Sequence, residues 1–131
     1  MRKLNLTSAL IAACLSGSAI AEDWVKVAVN ESSNEFFIDR DTIRTLPNGY
    51  KRAWERGVYA KPSAGGNIGH IVYEEYECRE GSKRTLQLSF LKPGGDREYV
   101  NLSNPQPWRY VEPGSIPEIV FNFVCFGKLS N

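Results

Sequence analysis

The 131-residue chain contains one histidine, His70. A nucleophilic triad needs a base to take the proton from its serine or cysteine, and His70, next to a glycine-rich loop, has no partner that the sequence supports. It reads as a surface histidine. Glu74, Glu75 and Glu77 form an acidic cluster, and on a strand Glu75 and Glu77 share a face, as an acid/base pair or a cation site would require. A simpler reading places these carboxylates on the wet face of an antiparallel sheet, where they repel other sheet edges. The run from Gly65 to Gly69 matches neither a Walker A loop nor Gly-x-Gly-x-x-Gly, so it is read as a plain surface loop. No metal or cofactor site is expected.

Cys14, Cys78 and Cys125 are the cysteines. Arg2 and Lys3 precede a short apolar run from Leu4 to Leu15, and Ala19-Ile20-Ala21 carries the small residues a signal peptidase reads. Residues 1–21 are therefore expected to be a signal peptide, and residues 22–131 one exported domain. The apolar run is shorter than the roughly 18 residues a membrane span needs. Ile11-Ala12-Ala13-Cys14 offers a lipobox as the alternative, with a lipid anchor at Cys14. The two remaining cysteines, an even count in an exported chain, read as one Cys78–Cys125 disulfide. A metal or redox pair would want closer spacing or nearby histidines.

Removing Arg2 and Lys3 takes the 16 Lys and Arg to 14 against 15 Asp and Glu. So even a balance gives no general attraction to phosphate, and no nucleic-acid partner is expected. With 42% hydrophobic and 11% aromatic residues the chain is not disordered. Its basic residues cluster at Lys51 and Arg52, at Arg79, Lys83 and Arg84, and at Arg97, interleaved with Tyr50, Trp54, Tyr73 and Tyr99. Aromatic and guanidinium groups together are what protein or glycan recognition uses. Arg79, Lys83 and Arg84 are the candidate partner-binding residues. The competing reading is of solvated strand faces with the aromatics in cross-strand pairs.

The elements that must position these groups are short strands. Residues 23–30 alternate, with Val25, Val27 and Val29 on the expected core side. Residues 35–39 follow, then an Asn48-Gly49 turn into a strand over 50–60. Residues 61–69 are the longest loop. Residues 70–79 form a strand with Val72, Tyr76 and Cys78 on its inner face, and residues 83–91 alternate Leu86, Leu88 and Phe90 with Thr85, Gln87 and Ser89. After Pro93-Gly94-Gly95-Asp96 the chain turns, and 97–101 pairs back. Ser115 and Glu118 form a capping box around Pro117; Ile116, Ile119, Val120, Phe123 and Val124 make one helical stripe, and Gly127 stops it.

Trp24-Val25, the run Phe36-Phe37-Ile38-Asp39 with Thr42-Ile43, a strand ending at Cys78, and Trp108 leading to Pro113-Gly114-Ser115 and a helix ending at Cys125 together resemble the surface-adhesin protein E family of Gram-negative bacteria. The resemblance implies an α+β, mostly antiparallel fold: a sheet of about six strands and a C-terminal helix tethered by Cys78–Cys125. It further implies an adhesin that binds host matrix or serum proteins such as vitronectin, laminin or plasminogen, and it admits a homodimer.

The expected protein is thus exported, to the periplasm or the cell surface, and non-enzymatic, and it acts by binding another protein. A soluble periplasmic binding or inhibitor module, working through a loop such as 61–69, is the second reading. An enzyme using the Glu75 and Glu77 carboxylates is the third.

Overall fold

A computed structural model describes residues 22–130. The expected signal peptide and Cys14 lie outside the described residues. Among the described residues eight strands form one antiparallel sheet: β1 (Trp24–Val29), β2 (Glu35–Asp39), β3 (Arg44–Thr45), β4 (Lys51–Val58), β5 (Gly69–Glu77), β6 (Ser82–Leu91), β7 (Arg97–Tyr99) and β8 (Arg109–Tyr110). Their order is β1-β2-β4-β5-β6-β7, with β3 beside β4 and β8 beside β6. The α-helix α1 (Ile116–Phe126) completes the mostly antiparallel α+β fold that the sequence leads one to expect. Among the described residues no helix is long and apolar enough to cross a membrane.

Sequence-adjacent strands pair through tight connections. In the β5–β6 hairpin Gly81 N–H donates to Glu77 C=O at 3.1 Å, and Gly81 has φ +73°, a left-handed backbone that a side chain would strain. The longer 61–69 loop is held by its own bonds, Ser63 N–H to Asn67 C=O at 2.9 Å and Gly66 N–H to Ser63 C=O at 2.8 Å.

The helix begins where the capping pattern puts it. Ser115 Oγ accepts from Glu118 N–H at 3.3 Å, while Glu118 Oε1 accepts from Gly114 N–H at 3.1 Å, one residue earlier than in the usual reciprocal box. Gly127 ends the helix with φ +66°. Val120, Phe121, Phe123, Val124 and Cys125 are buried against Val27, Ala28, Ile38, Ala53 and Tyr76, so one face of the β1–β2–β4–β5 region is the core. Cys78, just after β5, joins Cys125 in the last helical turn, their Cα atoms 5.7 Å apart. Lys51 Nζ reaches from β4 to the carbonyl oxygens of Cys125 at 3.3 Å and Val124 at 3.5 Å. A cation there satisfies carbonyls that have no helical partner.

Two bulges change the side-chain phase that simple alternation predicts. In β1 the register shifts between Lys26 and Ala28, so Val27 and Ala28 are both buried and Val29 is 52% exposed, not part of a continuous valine face. In the β5–β6 pair Tyr73 faces Gln87 but Glu74 faces Thr85, leaving Leu86 as the extra residue. Thr85 and Gln87, two apart, therefore point to opposite sides of the sheet. His70 is also not the surface residue expected. Its ring lies over Gly57 of the neighbouring strand, where any Cβ would collide with it, and its Nδ1 pairs with Tyr59 Oη at 2.8 Å.

Candidate functional site

The helix covers one face of the sheet and leaves the other, here the open face, without a helical cover. Strand alternation sorts the residues. Lys51, Ala53, Glu55 and Gly57 of β4 face the helix side together with His70, Val72, Glu74 and Tyr76 of β5, whereas Arg52, Trp54 and Arg56 face the open side together with Ile71, Tyr73 and Glu75. Lys51 and Arg52, one basic pair in the sequence, thus work on opposite faces.

Three charged groups sit at the centre of the open face. Glu75 is 1% exposed, and its two oxygens are shared: Arg52 Nε donates to Oε2 at 2.7 Å, while Arg84 donates to Oε1 from Nε at 2.9 Å and from Nη2 at 2.7 Å. The acidic cluster is therefore not on a wet face, as its sequence suggested; Glu75 is enclosed by the two guanidinium groups on the strands either side of it. Arg52 is held above its already high pKa chiefly by the hydrogen bond to Glu75, with burial opposing and the charge of Glu75 adding. Glu77 Oε1 accepts from the Arg79 N–H at 3.0 Å. Arg84 also lies over Trp108, its Cζ 4.3 Å from the ring centroid, and Tyr50 meets Trp108 edge-on at 5.2 Å. Alongside, Trp54 and Tyr73 are register partners whose rings stack at 4.8 Å and 21°, a cross-strand aromatic pair.

Between this trio and residues 102–106 lies a cleft of about 530 Å³ lined by Arg52, Tyr73, Arg84, Gln87 and Gln106 among others. A second, smaller depression beside Trp24 and Trp54 reaches Arg97. Tyr99, opposite Ser89 on this face, is 76% exposed. The open face thus carries Trp54, Tyr73 and Tyr99 with Arg52, Arg84 and Arg97, and the carboxylates of Glu22 and Asp39 line its second depression.

The opposite face holds a different polar group. Glu55 and Glu74 flank Lys83, whose Nζ lies 4.0 Å from Glu55 Oε2 and 3.8 Å from Glu74 Oε1; Thr85 Oγ1 donates to Glu74 Oε1 at 3.0 Å. Glu55 Oε2, Glu74 Oε2 and Tyr76 Oη have no hydrogen-bond partner among the described residues. Burial raises the Glu55 carboxyl to about 7, with Lys83 opposing and Glu74 adding. Burial raises Glu74 as well, against Lys83 and Thr85, and lifts the Tyr76 phenol well above its ordinary value. Burial and the charge of Lys83 lower His70.

The three candidate partner-binding residues are consequently not one patch. Arg79 is exposed on the hairpin turn, Arg84 is on the open face, and Lys83 is largely buried between carboxylates on the helix side. Neighbouring strand residues point to opposite faces, and the Leu86 bulge decides which takes which. Sequence reasoning missed Arg52 as a partner of Glu75. The signal was there in the phase: Arg52 and Trp54 share one parity, and Tyr73 and Glu75 another.

A model of the surface-adhesin protein E family matches residues 24–126, from the first residue of β1 to the last of α1. The chain belongs to the surface-adhesin protein E family. Among curated proteins and solved structures, none matches it. Membership in surface-adhesin protein E makes this an adhesin-like surface protein, and the match includes every strand, the helix and both bridged cysteines.

Proposed function

We propose that this surface-adhesin protein E member is a non-enzymatic binding domain that attaches to a host matrix or serum protein through the open face of its sheet. The observation that carries this reading is the pairing of a family match over the whole folded region with an uncovered face of stacked aromatics and fixed arginines. Such groups bury area and donate hydrogen bonds at small entropic cost. Arg84 is the one of the three expected residues that lies on this face; Arg79 is exposed on the adjoining hairpin turn. A non-catalytic role fits His70, whose Nδ1 is paired with Tyr59, and Glu75, whose oxygens are both taken by arginines. Residues 1–21 are proposed as the signal peptide that delivers the domain to the periplasm or surface. Vitronectin, laminin and plasminogen are the partners the family relation suggests. Surface plasmon resonance of the 22–131 domain over each immobilised protein tests the reading: saturable binding to at least one is expected, and no binding to any of them would overturn it.

A further inference from the structure

We infer that the cleft between the Arg52–Glu75–Arg84 trio and residues 102–106 is a subsite for one carboxylate side chain of the partner protein, a refinement that rests on the open-face reading. Two guanidinium groups and one carboxylate leave a single positive excess on the cleft wall. No Asp or Glu lines the cleft, since Glu75 is sealed behind the arginines. Arg52 bonds to Glu75 through Nε and Arg84 through Nε and Nη2, so each guanidinium retains N–H groups that can donate elsewhere.

Both arginines are held in place before any ligand arrives. Glu75 is buried and fixes their edges, Trp108 backs the plane of Arg84, and Tyr50 backs Trp108. Little side-chain freedom remains to be lost on binding, and forked donors in a fixed plane select a planar carboxylate. The walls suit what surrounds an acidic residue in a protein segment: Tyr73, stacked on Trp54, supplies an aromatic side, and Gln87 and Gln106 supply amides. A volume of about 530 Å³ accommodates one or two side chains. A sulfated glycan presents many anions in a row and would need a track of cations, whereas the two arginines here converge on one carboxylate and have only one charge in excess.

Two short peptides, acetyl-Gly-Glu-Tyr-amide and acetyl-Gly-Gln-Tyr-amide, titrated into the 15N-labelled domain, test the inference through the arginine Nε–H signals. The glutamate peptide should shift Arg52 and Arg84 and bind about tenfold more tightly than the glutamine peptide. Arg52→Gln should abolish that preference, and Arg52→Lys, which keeps the charge but not the fork, should reduce it; a melting curve on each variant confirms that it is folded. Equal binding of the two peptides, or none, would overturn the subsite. So would a heparin tetrasaccharide that moves these signals when neither peptide does. If the peptides fail while Tyr99→Asp still abolishes binding of the whole partner, the subsite falls and the open-face reading stands.

Discussion

Arg52 on β4 donates through Nε to Glu75 on β5 at 2.7 Å, on the side of the sheet that the helix leaves open. The pair is extended by Arg84 on β6, so three neighbouring central strands are cross-linked by charge on one face, while α1 and the disulfide hold the other. Removing Glu75 would leave two guanidinium groups adjacent and unneutralised. Glu75→Gln is expected to destabilise the domain by about 2 kcal/mol, below the figure for a fully buried pair because both arginines keep some contact with water. Urea unfolding at neutral pH checks this; an unchanged midpoint would show that the trio contributes nothing to stability.

Glu55 sets a pH dependence of the opposite kind to that of an exposed ion pair. Its carboxyl titrates at about 7 in the folded protein against 4.5 ordinarily. The folded chain therefore binds a proton that the unfolded chain releases, and this contribution, complete below the unfolded value, is lost as pH rises through about 7. The loss amounts to about 3 kcal/mol. Glu74, raised in the same direction, adds to the trend; His70, lowered, opposes it by giving stability that is lost as pH falls. Stability measured from pH 5 to pH 8 in wild type and Glu55→Gln isolates the Glu55 share, because the variant should lose that part of the slope.

Cys125→Ser opens a loop of about 50 residues and on the chain-entropy model costs roughly 4 kcal/mol. The helix, 11 residues long, is too short to persist alone and depends on its apolar stripe and this tether. A large fall in melting temperature is expected, with partial loss of helical circular dichroism before the sheet melts. A melting temperature within a degree or so of wild type would mean that packing alone anchors the helix.

Gly57 and His70 are register partners, and the His70 ring occupies the space where a Gly57 side chain would begin. Gly57→Ala should therefore cost about 1–3 kcal/mol by overpacking. The double variant Gly57→Ala, His70→Ala should recover part of that loss, since the obstructing ring is gone. A thermal unfolding cycle over the four proteins measures the coupling, and strict additivity would contradict the contact.

Much of this fold was legible in the residues themselves. The capping residue, the 3.6-residue stripe and Gly127 define α1, and Cys78 and Cys125 pair as expected. The positions of six strands followed from alternation and turn residues, whereas β3 and β8, two residues each, gave no such pattern. What alternation could not show was its own interruption: a bulge has no composition of its own, and those at Val27 and Leu86 reverse the side on which every later residue of the strand pair lies. This is why Val29 is exposed and why, of the adjacent pair Lys83 and Arg84, it is Arg84 that takes the open face. The enclosure of Glu75 was hidden for another reason, since a carboxylate is buried only if cations from other strands reach it, and that depends on register.

Binding through the open face is tested most directly by comparing two surface variants against the immobilised partner that wild type binds best. Arg97→Glu combined with Tyr99→Asp alters two exposed residues of β7 on the open side, and Lys128→Glu alters an exposed residue just beyond the helix. Both should keep the wild-type melting temperature within about 1 °C, as surface changes of about 0.5 kcal/mol or less do. The β7 variant should weaken binding by about tenfold or more, and Lys128→Glu should leave it unchanged. Full affinity in the β7 variant with loss in Lys128→Glu would place the partner on the helix side and contradict open-face binding.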